Sequence, residues 1–194
     1  KSLLEFVDSA WGNRISGIIK SFDGAGSEQY EYSFPHKNGG YVDTIVTLSA
    51  ITDDMKEKIG YLAVVSDITE RKRAERALRV SEELSRAIVA NSPIGIATLD
   101  STYHFISANE AFCNILGYNE FELRKLTFKD ITSPDSLHQS IERMTLLEKG
   151  AIQSFSEEKK YIRKDGVIIT GRVIVNALRD ANGKPSLFIS ELED

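Results

Sequence analysis

The sequence predicts an α+β protein: a five-stranded antiparallel sheet flanked by helices, joined by a connecting helix to a second, partial unit of the same kind. Three observations carry that prediction. The first is an internal repeat, in which HKNGG at 36–40 answers RKDGV at 163–167 at an offset of 127 residues. The second is an order of strands, helices and strands in the later copy, which suits an antiparallel sheet with segregated helices. The third is a stretch between the copies, 68–91, without Gly or Pro.

In the later copy, IGIATLD (94–100) and YHFISAN (103–109) read as a hairpin turning at Asp100-Ser101-Thr102. Asn109 caps a short helix with Phe112, Ile115 and Leu116 on one face, and Gly117 ends it. Ser133-Pro134 opens a longer helix whose stripe is Leu137, Ile141, Met144 and Leu147, stopping at Gly150. Strands over 155–163, 167–178 and 185–192 follow, the first two joined by Asp165-Gly166. The earlier copy repeats the strands, with Glu31 matching Glu158, YVDTIVTLSAI matching VIITGRVIVNAL, and YLAVVSDIT matching SLFISELED. Upstream, FVDSAWGNRISGII (6–19) answers ITSPDSLHQSIERM (131–144), with Trp11, Ile15, Ile18 and Phe22 on an apolar stripe. Residues 94–126 have no counterpart in the earlier copy, which is therefore read as a C-terminal half. The boundaries expected are 1–70 for the half unit, 68–91 for a coiled-coil-like linker and 92–194 for the complete unit. Along the linker, Ala74, Ala77, Ser81, Leu84 and Ile88 alternate at spacings of three and four, a short heptad seam.

Bulk properties exclude several classes of function. The 194 residues are 41% hydrophobic, enough for a packed core, and carry a net charge of −5. An acidic balance argues against nucleic acid as partner, since neutralising phosphates needs surplus Lys and Arg. The segment 70–79 holds five basic and two acidic groups, which reads as the solvated face of a linker helix. No apolar run approaches the ~18 residues that cross a bilayer, so no membrane insertion of this segment is expected, and a cytoplasmic location is. With one cysteine, Cys113, there is no internal disulfide.

The motifs resemble those of the PAS domain family. DITERKRAE (67–75) resembles the junction that ends PAS domains in bacterial and archaeal sensor proteins. ISANEAFCNILGYNEFEL resembles their strand-to-helix segment, and YIRKDG their later hairpin. At the chain's end, Glu191-Leu192-Glu193 stands where the first copy has Asp-Ile-Thr. The resemblance implies a PAS fold throughout and a sensory-box tandem. Its parent would be a two-component sensor histidine kinase, with a cyclic-di-GMP synthase or transcriptional regulator as alternatives. The output domain then lies elsewhere in the parent chain, and this segment, lacking phosphoacceptor, nucleotide-binding and cyclase motifs, is not itself an enzyme. In the family, the junction formed here by Asp67, Ile68 and Thr69 relays a change in the sheet to the output helix. A homodimer is expected from the seam.

Candidate binding residues follow from the fold's interior, which can leave an apolar cavity with a few polar groups. Ile96, Phe105, Phe112, Met144, Leu147, Ile169 and Phe188 are the expected lining, for an unidentified small ligand or as solid core. No cofactor is predicted. His138 stands on the helix where haem-binding relatives carry their axial ligand, but a third of a turn off the apolar stripe, so a surface role is favoured over haem. Cys113 lacks the Gly-x-Asn-Cys-Arg-Phe setting of flavin-bonding thiols, and His36, His104 and the carboxylates show no metal-ligand spacing.

Overall fold

The computed structural model describes residues 12, 27–55 and 57–193. It divides into two compact units, residues 1–82 and 83–194. The helix expected over 6–19, with Trp11, Ile15 and Ile18, lies outside the described residues, as does Phe22.

The first unit holds β1 (Ser27–Pro35), β2 (Tyr41–Thr52) and β3 (Lys58–Asp67), paired antiparallel in that order. Strand parity buries Thr44, Val46 and Leu48 of β2, while β3 leaves Ile59, Leu62, Val64 and Val65 exposed. Helix α1 (Thr69–Ala90) follows β3 at once and carries the division between the units. It has no buried residue, and the seam positions Leu84 and Ile88 are 59% and 63% exposed.

The second unit is built on a five-stranded antiparallel sheet. Its strands are β4 (Gly95–Asp100), β5 (Phe105–Ala108), β6 (Ser154–Ile162), β7 (Ile168–Arg179) and β8 (Pro185–Glu193), in the order β5-β4-β8-β7-β6. Helices α2 (Glu110–Leu116), α3 (Glu120–Leu123) and α4 (Pro134–Glu148) fill the crossover between β5 and β6. The β4–β5 turn forms because the Asp100 carboxylate accepts from the amides of Thr102 and His104, mimicking a backbone turn.

Asn109 begins α2 as expected, its side chain accepting from the Phe112 amide, and Gly117 ends the helix at φ 77°, a left-handed conformation glycine adopts without a Cβ penalty. Helix α3 was not foreseen; Asn119 and Glu122 form a reciprocal capping box at its start. On α4 the buried face is Ser140, Met144 and Leu147, with Leu137 half-buried. Ile141, expected in that stripe, is 39% exposed. Its place is taken by Ser140, one residue earlier, for a reason that lies in β6.

The core of the second unit gathers Phe105, Phe112, Leu116, Leu123, Ile131, Leu147, Phe188 and Leu192 between sheet and helices. At ~25 cal/mol per Å2 of apolar surface withdrawn from water, this burial is the main force holding helices to sheet. Among the described residues, no helix is long and apolar enough to cross a membrane.

Candidate functional site

Strand β6 reads SFSEEKKYI, and its parity turns Phe155, Glu157, Lys159 and Tyr161 inward. Two hydrophobic positions therefore bracket two charged ones, all buried. Glu157 is 7% exposed and Lys159 8%. Burying such groups is costly unless each finds partners.

Those partners are few. Ser140 Oγ donates to Glu157 Oε1 at 2.7 Å, which explains why α4 turns a serine inward. Glu157 Oε2 is buried with no hydrogen-bond partner. Lys159 Nζ donates to Thr132 Oγ1 at 3.3 Å and lies 5.5 Å from the Phe128 ring centroid and 4.8 Å from that of Tyr161. Burial pulls the Lys159 ammonium down from 10.5 to about 8, opposed by the Glu157 charge. Burial, reinforced by that charge, pushes the Tyr161 phenol up.

These groups surround a cavity of about 30 Å3 lined also by Leu99, Phe105, Phe112, Phe128, Met144 and Phe155. Of the seven lining residues expected from sequence, Phe105, Phe112 and Met144 face the cavity. Leu147 and Phe188 are fully buried core beside it, and Ile169 is a half-buried neighbour of that core. Ile96 is on the opposite face of β4, where parity sends Ala97 and Leu99 inward instead. It lines an open groove with Val89, Ala90 and Ile189.

The polar members, Ser140, Glu157, Lys159 and Tyr161, were missed. The signal was present in the alternation of β6, but the doublets Glu157-Glu158 and Lys159-Lys160 disguise which charge of each pair points inward. His138, with its side chain 86% exposed, faces away from this interior and stands 3.6 Å from Glu142. Cys113 is half-buried against the core, its thiol pushed up chiefly by burial. The described residues hold no cluster of metal-ligating side chains.

The second constellation is the junction between β3 and α1. Asp67 Oδ1 accepts from the Thr69 amide at 2.8 Å, and this bonding to Thr69 holds its carboxyl below the usual range. Ile68 is buried and its amide donates to Asp43 O on β2 at 2.8 Å. Thr69 does not cap its own helix. Its hydroxyl accepts from the Asp43 amide at 3.0 Å, fastening the helix start to the middle strand. Asp43, held below its usual range first by the Ser33 hydroxyl, pairs with Arg76 two turns further along α1 at 3.2 Å. Lys72 reaches Glu31 on β1 at 2.6 Å. All three strands of the first unit thus hold the first turns of α1.

The register corrects one alignment drawn from sequence. Because β3 and β8 match at the 127-residue offset, Glu191-Leu192-Glu193 answer Val64-Val65-Ser66 as strand residues. Leu192 is fully buried and pairs with Val173, so the residue answering Asp67 is Asp194.

Comparison with known proteins agrees with this architecture. A family described as PAS domain matches residues 2–70, and one described as PAS fold matches residues 105–190. A probable diguanylate cyclase, DgcE, of Escherichia coli (strain K12) is 34% identical over 123 residues, covering 63% of this chain and 11% of that protein. The sensor histidine kinase TmoS of Ectopseudomonas mendocina is 26% identical over 150 residues, 75% of this chain and 15% of its own length. The chain thus spans less than a sixth of either relative. Among solved structures, a PAS domain from Colwellia psychrerythraea matches with TM-score 0.53 at 15% identity, over 58% of this chain and 94% of that one. With both family matches and the five-stranded sheet in agreement, this chain belongs to the PAS domain family.

Proposed function

We propose that this chain is the sensory input and relay module of a two-component sensor histidine kinase, working through dimeric PAS units. Residues 92–194 are the complete unit, 68–91 the linker and 1–70 the C-terminal half of a second unit. The observation that carries the reading is the junction at Asp67, Ile68 and Thr69. There, hydrogen bonds from β2 and the end of β3 fix the angle and register at which α1 leaves the sheet. A change in the sheet would then turn the helix rather than dissipate in a loose connection. The likeness to TmoS supports a histidine kinase as parent. The greater identity to DgcE favours a second reading, in which the output is a cyclic-di-GMP synthase. The exposed apolar side chains Leu78, Leu84 and Ile88 along α1 support a homodimer closed through that helix.

The test replaces Asp67 and Thr69 together by alanine in the full-length parent. Signal-dependent output, measured as autophosphorylation or cyclic-di-GMP synthesis, should become fixed high or low. A double variant that answers its signal like the wild type sinks the relay. Light scattering of the 194-residue chain at micromolar concentration should give twice the monomer mass.

A further inference from the structure

The interior of the second unit carries an unused polar capacity that folding does not explain. Replacing a buried, imperfectly paired charge couple by apolar groups of similar volume is commonly neutral or stabilising. Yet β6 retains Glu157 and Lys159 in the midst of five aromatic rings, Phe105, Phe112, Phe128, Phe155 and Tyr161. Among the described residues no ion pair closes between the two, and each is left short of a different thing. Glu157 Oε2 lacks a donor. The Lys159 ammonium has three N–H donors and one long hydrogen bond, so it lacks acceptors.

We propose that this cavity binds a compact, net-neutral molecule carrying a hydrogen-bond donor and acceptor on neighbouring atoms, a small primary carboxamide being the simplest case. The amide N–H2 satisfies Glu157 Oε2, the amide oxygen accepts from Lys159 Nζ, and the short carbon end packs among the phenyl rings. This rests on the sensory reading above and names the class of signal it receives. Net neutrality follows from the site's own balance: one carboxylate and one ammonium already offset each other, so a charged ligand would bring an uncompensated charge into the core. Compactness follows from size. About 30 Å3 holds one or two waters and falls well below the hundreds of Å3 of a drug-sized site, so even the smallest carboxamide enters only as the lining gives way. Met144, unbranched and 5% exposed, is the lining group able to yield to a slightly larger occupant. Ser140 fixes the other oxygen of Glu157, so the carboxylate is already oriented before anything binds.

The experiment is an NMR titration of the 194-residue chain with acetamide, and with acetate and ethylammonium as charged controls of like size. Acetamide should give saturable shifts on β6 and α4, and the charged controls none. The double variant Glu157→Met with Lys159→Met should melt at or above the wild-type temperature and bind acetamide at least about tenfold more weakly. Undiminished acetamide binding by that variant would overturn the proposal. So would a melting temperature as low as that of Lys159→Met alone, since the pair would then be structural. Failure of acetamide to bind the wild type, with one ordered water bridging Glu157 and Lys159 at high resolution, would overturn it too. The junction variant in the parent judges the other reading independently. Uncoupled output without amide binding sinks the ligand and keeps the relay; amide binding with a normally responding junction variant does the reverse.

Discussion

Strands β1–β3 and β6–β8 are the same three-stranded template, in register at 127 residues from Ser27/Ser154 to Ser66/Glu193, and their fates differ. On the middle strands, Val46 and Leu48 are buried like their counterparts Val173 and Val175. On the third strands the likeness ends. Val65 is 47% exposed where Leu192 is fully covered. The difference is in the neighbours: β8 runs between β7 and β4, whereas among the described residues β3 pairs with β2 alone. The first strands differ in content, since Tyr30 and Tyr32 occupy the positions of Glu157 and Lys159. Strand pattern therefore sets pairing and parity, while the covering elements decide what is core, and among the described residues the buried charges belong to the second unit.

The sharpest way to break this comparison is a pair of truncations at matched positions. Phe188→Ala should cost about 3–5 kcal/mol, because a fully buried ring leaves a cavity. Tyr61→Ala, its half-exposed counterpart, should cost below about 1 kcal/mol by the same denaturant titration. Equal losses would mean that the first unit is as well covered as the second.

Gly171→Thr is the next largest. It installs the residue that the first unit carries as Thr44, but a Cβ at Gly171 comes within 2.8 Å of Leu192 Cδ1 and 3.0 Å of the Glu193 carbonyl. Overpacking of this kind should cost about 1–3 kcal/mol, where Thr44→Gly in the first unit creates no clash.

A pH series sharpens the contrast between Lys159 and Tyr32. The folded state holds the Lys159 ammonium at about 8 against 10.5 when unfolded, so between those values the unfolded chain binds more protons. Stability of the second unit should therefore rise above pH 8, by about 1 kcal/mol at pH 9. Tyr161, facing the same interior with its phenol raised, reverses the trend above pH 10, where the unfolded phenol ionises first. Lys159→Met should flatten the rise at pH 8–9; a rise that survives belongs to another group.

Smaller still, Asp67→Ala with Thr69→Ala should lower the melting temperature by a few degrees at most, while circular dichroism stays unchanged. Last, Lys72→Ala removes an exposed pair with Glu31 and should cost less than ~0.5 kcal/mol.

Much of the fold was legible because its signals are local. The repeat, the Asn109 cap, the left-handed Gly117 and the Ser133-Pro134 helix start each declare themselves within a few residues. What the interior holds depends on parity, which a one-residue error inverts. Ile96 was placed inside when Ala97 and Leu99 are, and Ile141 was placed on the buried stripe where Ser140 answers Glu157. Hydrophobicity alone chose the apolar residue in each case. Only the partner across the core, a carboxylate on β6, makes a serine the right inward residue. Phe105, Phe112 and Met144 were found because apolar pattern and location coincide there.

Asn109 has a consequence for how α1 can move against the second sheet. Its side-chain oxygen accepts from the Ile96 and Phe112 amides, and its nitrogen donates to the carbonyls of Val89 and Ile94. Every bonding direction of this buried amide is used, one of them by the last turn of α1. The helix end therefore has no graded travel: a shift of an ångström or two breaks the Val89 bond and strands a buried donor, at about 1–3 kcal/mol. Such a latch holds still under small forces and lets go at a threshold. Its release is a step, not a dial.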